Sequence, residues 1–211
     1  MKRIALIFSL LVAPLVADEA QRIKCGNLVY GKGQTSVCFA DAFLKDAARE
    51  TGIDIDPSFS RIALAKPELF KTPMCVFTGE GDFQLTPEER KNLKRYLENG
   101  GFIMASPGCS DADWNRAFQR EISAALPEYK FAALPMDHEL FSTVHKITEV
   151  RTYSKSVKLQ GLQINGRLAL LYSPEGLNDV RNASGCCCCG GSEIQQSRQV
   201  NVNALVYALL H

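Results

Sequence analysis

Residues 72–114 read TPMCVFTGEGDFQLTPEERKNLKRYLENGGFIMASPGCSDADW, and their order of apolar runs, glycines and caps decides the fold. Met74–Phe77 is a short apolar run that begins after Pro73 and stops at a glycine-bearing loop, the pattern of a buried strand in a parallel sheet. Thr86 predicts a helix start, with Pro87 in the first turn and Glu89 three residues on to complete a capping box. Leu93, Tyr96 and Leu97 set an inward face before Gly100 and Gly101 stop the helix. A second buried strand, Phe102–Ala105, follows at once. Two strands joined by one helix form a right-handed crossover, and ligands of such sheets bind at the carboxyl ends of the strands. The expected ligand-binding residues are therefore Thr78, Gly79, Gly81 and Asp82 after the first strand, and Ser106, Gly108 and Ser110 after the second.

Working outward, Met1-Lys2-Arg3, the apolar run 4–16 and the ending Leu15-Val16-Ala17 read as a signal peptide over residues 1–17. That run is too short to span a bilayer, which needs about 20 apolar residues. Residues 18–211 then form one domain, exported to the periplasm or cell envelope, with no transmembrane anchor after cleavage. The net charge of +1 offers no field to draw nucleic acid. Residues 22–30 predict a first strand, 36–51 a helix ended by Gly52, and 53–55 a second strand, with 57–69 as connection. Residues 111–126 carry Trp114, Phe118, Ile122 and Leu126 on one helical stripe. A strand is expected at 129–134, and a sharp turn into a short helical segment at 135–141. Asn165-Gly166 between residues 162–164 and 167–172 marks an antiparallel hairpin at one edge. A polar, cysteine-rich loop fills 173–197, and a helix over 199–210 docks on the sheet. The fold class is a three-layer α/β sandwich with a mainly parallel sheet, of the flavodoxin-like or glutamine amidotransferase-like kind.

Five motifs, in order, resemble a known family. They are Pro73-Met74 with Thr78-Gly79 and Gly81; Leu93-x-x-Tyr96-Leu97-x-x-Gly100-Gly101-Phe102; Leu134-Pro135-x-Asp137-His138-x-Leu140-Phe141; Gly166-Arg167 before Tyr172-Ser173; and Asn201-x-x-Ala204-x-Val206-Tyr207-Ala208-Leu209. The chain thus resembles bacterial domain-of-unknown-function family four-one-five-nine. The resemblance implies a sandwich similar to class I glutamine amidotransferases and ThuA-like proteins, and brings no established activity. The chain departs from the family pattern at Glu80, where many members carry a histidine, and at Ser106-Pro107, where they carry acidic residues. Asp137 and His138 match, as a helix cap or as members of a site.

The amidotransferase-like reading puts Cys109 near the nucleophile position, where a thiolate attacks a carboxamide and a histidine shuttles the proton. The catalytic candidates are Cys109 and His138, with Glu80 or Asp137 to orient the ring. Against this, Pro107 and the lengthened strand-to-cysteine spacing suit a tight elbow poorly, and a disulfide-bonded or free loop cysteine is the competing reading. Cys75 reads as a core thiol, while Cys25 and Cys38 are placed to pair in an oxidising compartment. In Cys186-Cys187-Cys188-Cys189, neighbouring side chains point to opposite faces, so at most alternate residues such as Cys186 and Cys188 would share an ion. Disulfides, a partial metal site and a redox loop stay open there. No cofactor is expected, and zinc is the alternative. The leading expectation is a cell-envelope module that binds a small molecule or envelope protein. A cysteine-dependent hydrolase and a metal- or redox-responsive protein are the alternatives.

Overall fold

In the computed structural model, which describes residues 22–178 and 194–211, seven strands make one sheet. They are β1 (Cys25–Val29), β2 (Ser60–Ala63), β3 (Met74–Phe77), β4 (Phe102–Ala105), β5 (Ala132–Ala133), β6 (Gln160–Ile164) and β7 (Arg167–Tyr172). Their order across the sheet is β2-β1-β3-β4-β7-β6-β5. The first five in that order pair parallel, and β7, β6 and β5 pair antiparallel at one edge. Among the described residues four α-helices cover the two faces: α1 (Ala42–Thr51), α2 (Pro87–Glu98), α3 (Ala112–Ala125) and α4 (Ser197–Leu210). None of the described helices is long and apolar enough to cross a membrane.

Successive residues of a strand point to opposite faces, so a strand covered on both sides feeds two cores. Met74 and Val76 belong to one apolar cluster, with Phe43 and Leu44 of α1 and Leu205 of α4. Cys75 and Phe77 belong to the other, with Leu93 of α2 and Trp114 and Phe118 of α3. The central strands are therefore continuous apolar runs, and that is why β3 and β4 stand where periodicity predicts them. The capping box forms as expected: Glu89 N–H donates to Thr86 Oγ1 at 3.2 Å, and Thr86 N–H donates to the Glu89 carboxylate at 2.8 Å. The hairpin turns at Asn165 (φ 53°) and Gly166 (φ 78°), two successive left-handed residues as a tight hairpin requires.

Three expected elements differ. Residues 53–55 form no strand beyond an isolated bridge between Ile23 and Ile55, and the second strand is Ser60–Ala63, inside the expected connection. As an edge strand pairing only with β1, it is half-exposed and lacks the apolar run that marks a central one. Helix α1 begins at Ala42 and not at 36, because residues 36–41 are turned back by the Ser36 hydroxyl, which accepts from Cys38 N–H at 3.0 Å. The strand expected at 129–134 shrinks to the exposed pair Ala132–Ala133. The leader at 1–17 and the cysteine run lie outside the described residues.

Candidate functional site

The strand order places β1 between β2 and β3, so the chain leaves β1 toward one edge and β3 toward the other. Their following helices, α1 and α2, pack in different cores, on opposite faces of the sheet. The two exit loops diverge there, at the carboxyl ends, the general ligand position of open α/β sheets. To this point the loop after β1 brings Cys38, the loop after β3 brings Glu80, and the turn after β4 brings Cys109.

Glu80 Oε1 lies 4.0 Å from Cys38 Sγ and 3.6 Å from Cys109 Sγ, and the two sulfurs are 3.9 Å apart. Cys109 is disulfide-bonded, so its sulfur carries no proton, and in the contact between sulfurs the Cys38 thiol is the donor. Cys38 is buried, Cys109 partly buried and Glu80 exposed. The turn that presents Cys109 is unusual: Cys109 (φ 50°) and Ser110 (φ 52°) both take the left-handed backbone that non-glycine residues avoid. A Cβ at Gly108 would sit 3.0 Å from both Glu80 Oε1 and Ser36 Oγ, so glycine lets these two side chains stand where they are.

A buried relay fixes the loop after β3. Trp114 Nε1–H donates to Tyr30 Oη at 2.6 Å, and Tyr30 O–H donates to the Thr78 carbonyl at 3.0 Å. Burial pushes the Tyr30 phenol well above its usual range, so it stays protonated and keeps donating. Gly79 passes so close that a Cβ would lie 2.0 Å from Tyr30 Oη, while its carbonyl accepts from Gly108 N–H at 2.7 Å and ties the two site loops together. Thr78 follows Met74 and Val76 in alternation and so faces the α1/α4 side, where its hydroxyl is buried without a hydrogen-bond partner.

The remaining expected site residues divide. Ser106 is fully buried; its hydroxyl donates to Asn178 Oδ1 at 3.0 Å and accepts from Leu177 N–H at 3.2 Å, which anchors the chain leaving β7. Asp82 turns outward into an ion pair with Arg120 at 3.0 Å. Gly81 (φ 71°) supplies a left-handed turn beside Glu80. Asp137 is exposed, and His138 caps the short 3₁₀ turn Glu139–Ser142, its Nδ1 accepting from Leu140 N–H at 3.1 Å.

Cys109 and His138 are not brought together. The His138 ring lies against Tyr207, whose own ring meets Phe102, the first residue of β4, while Cys109 follows the last. Four strand residues at about 3.3 Å each separate those two ends. His145 and His211 also sit toward the amino ends: His145 Nε2 is 2.8 Å from Glu50, near the end of α1, and the His211 ring stacks on Tyr207. Cys25 carries a free thiol, so the pairing with Cys38 is not formed. Burial pushes both Cys25 and Cys75 up to about 12, which makes them inert core thiols. The expectation for Cys186 and Cys188 as ligands lies outside the described residues.

Sequence reasoning left Cys38 and Ser36 out of the site: both fall within the stretch read as a helix, and Cys38 was assigned to a pairing with Cys25. The same rule that located the loops after β3 and β4 would have found them, once applied to the loop after β1. None of the curated proteins matches the chain. Residues 25–209, from the first residue of β1 to the penultimate residue of α4, match the sequence model of DUF4159, a domain of unknown function, and the chain belongs to that family.

Proposed function

We propose that the chain is an exported binding module of the cell envelope that holds a small ligand in the crevice between the loops after β1, β3 and β4. The observation that carries this reading is the convergence of Cys38, Glu80 and Cys109 at the point where the strand order reverses. The buried, unpartnered Thr78 hydroxyl at the end of β3 adds a group with hydrogen-bonding capacity to spare. The disulfide at Cys109 fits an oxidising compartment, in line with the export expected from residues 1–17. It also weighs against a hydrolase: a nucleophile needs a thiolate and a base in reach, and here the sulfur is bonded while the histidines gather at the other end.

Hydrogen-exchange mass spectrometry of the mature chain tests the reading against a panel of amino acids, peptidoglycan fragments and divalent cations. Protection concentrated in residues 31–41, 78–82 and 106–110 is the expected result. Protection confined to other segments would move the site elsewhere. Amide hydrolysis abolished by Cys109→Ala would replace the binding module with the hydrolase.

A further inference from the structure

We propose that Cys38, Glu80 and Cys109 are three ligands of a site for a thiophilic divalent cation of the zinc class, open when Cys109 is reduced and closed by its disulfide. The inference rests on the crevice reading above and names its ligand. The three pairwise separations are 3.9 Å between sulfurs and 3.6 and 4.0 Å from sulfur to Glu80 Oε1. Tetrahedral zinc, with Zn–S about 2.3 Å and Zn–O about 2.1 Å, has edges of about 3.8 Å between sulfurs and about 3.6 Å from sulfur to oxygen. With Cys109 held in its disulfide, the three donor atoms thus stand near the corners of one face of a ligand tetrahedron. Two thiolates and a carboxylate are a donor set that selects zinc-class ions over magnesium or calcium, which take oxygen alone.

The surroundings hold these atoms in place. Gly108 leaves room for the Glu80 side chain, where a Cβ would meet Oε1 at 3.0 Å. The Gly108 N–H to Gly79 carbonyl bond at 2.7 Å fixes the loop bearing Glu80 against the turn bearing Cys109. Cys109 Sγ, carried on the left-handed pair Cys109–Ser110, lies 3.9 Å from Cys38 Sγ. Among the described residues these three are the donors, and the tetrahedron has a fourth corner for one more.

Opening the site is a balanced two-electron step. A dithiol reductant breaks the disulfide of Cys109, gives both electrons to its two sulfurs and becomes a disulfide itself. The cation then displaces the protons of Cys38 and Cys109 into solvent, so binding strengthens as pH rises toward neutrality.

The test uses the mature chain reduced with a phosphine and titrated with cobalt(II), whose thiolate charge-transfer and ligand-field bands report coordination, followed by displacement with zinc(II). To separate this site from the cysteine run, the titration is repeated with Cys186, Cys187, Cys188 and Cys189 all replaced by serine. One cobalt per chain with a tetrahedral spectrum is expected to remain in that background. Cys38→Ser and Glu80→Gln should each weaken binding by at least ~10-fold while leaving the circular dichroism and melting unchanged. The oxidised wild-type chain should show no such band until reduced. Loss of all cobalt in the folded quadruple variant, or unchanged affinity in both single variants, would overturn the proposal. If a small molecule still protects residues 31–41 and 78–82 in that case, the crevice stands and only its metal is wrong.

Discussion

At the amino ends of the central strands, Arg167 donates to the carbonyls of Leu97 and Gly101, both at 3.0 Å, and Tyr96 O–H donates to the Thr72 carbonyl at 2.8 Å. Tyr207 Oη accepts from Leu168 N–H at 3.1 Å, and His138 accepts from Leu140 N–H. At the carboxyl ends, Cys38, Glu80 and Cys109 face one another across three loops, and the Thr78 hydroxyl has no hydrogen-bond partner. The same sheet thus treats its two ends differently. One end uses polar side chains to satisfy backbone groups that would otherwise be costly to bury, which is a structural task. The other brings two sulfurs and a carboxylate toward each other on loops that diverge, at the general ligand position of such sheets. A histidine matched by a family motif proved to belong to the first kind of end, and a cysteine expected to pair with Cys25 to the second.

The largest expected effect lies at the carboxyl end. Cys109→Ser removes a disulfide and should cost about 2–4 kcal/mol under oxidising conditions. With dithiothreitol present, variant and wild type should unfold together; urea denaturation with and without reductant checks this, and an equal gap in both conditions would mean the cost is packing. Gly79→Ala should cost about 3 kcal/mol, because its Cβ would press on the buried Tyr30–Trp114 pair. Two residues away, Gly81→Ala has nothing within 4 Å and only an unfavourable φ of 71°, so about 1 kcal/mol is expected. Equal losses at 79 and 81 would show that the relay does not hold the loop.

At the amino end, Arg167→Ala should cost about 2 kcal/mol, since two carbonyls and the end of α2 lose a charged donor. It should leave ligand or metal binding at the crevice unchanged, and a binding defect would show that the ends are coupled. The smallest effect is a pH dependence. Burial, and secondarily His211, hold His138 below its ordinary 6.5, while Glu139 and Asp137 pull the other way. The unfolded chain therefore takes up the proton first. The neutral ring's contribution is complete above about pH 6.5 and is lost as pH falls through the lower folded value. Thermal melts from pH 7.5 to 5 should show His138→Gln less pH-sensitive than wild type; identical slopes would place the titration elsewhere.

Much of the fold was legible in local chemistry. Pro73, the Thr86–Glu89 capping box, Gly100-Gly101 and Asn165-Gly166 act over a few residues, so β3, α2, β4 and the β6–β7 hairpin could be read in order from the chain. Apolar runs identified the doubly covered strands, and the rule for carboxyl ends pointed to the loops that bear Glu80 and Cys109. What the chain alone left open depends on contacts between residues far apart in sequence. Edge strand β2 has no apolar run because only one neighbour defines it. Cys38 meets Cys109 across 71 positions, and no periodicity encodes that meeting. His138 and Cys109 are 29 positions apart, yet they lie at opposite ends of the sheet, because strand direction, not sequence separation, decides which loops share an end. The meeting of two sulfurs and a carboxylate is a property of the reversed strand order, and only the assembled sheet produces it.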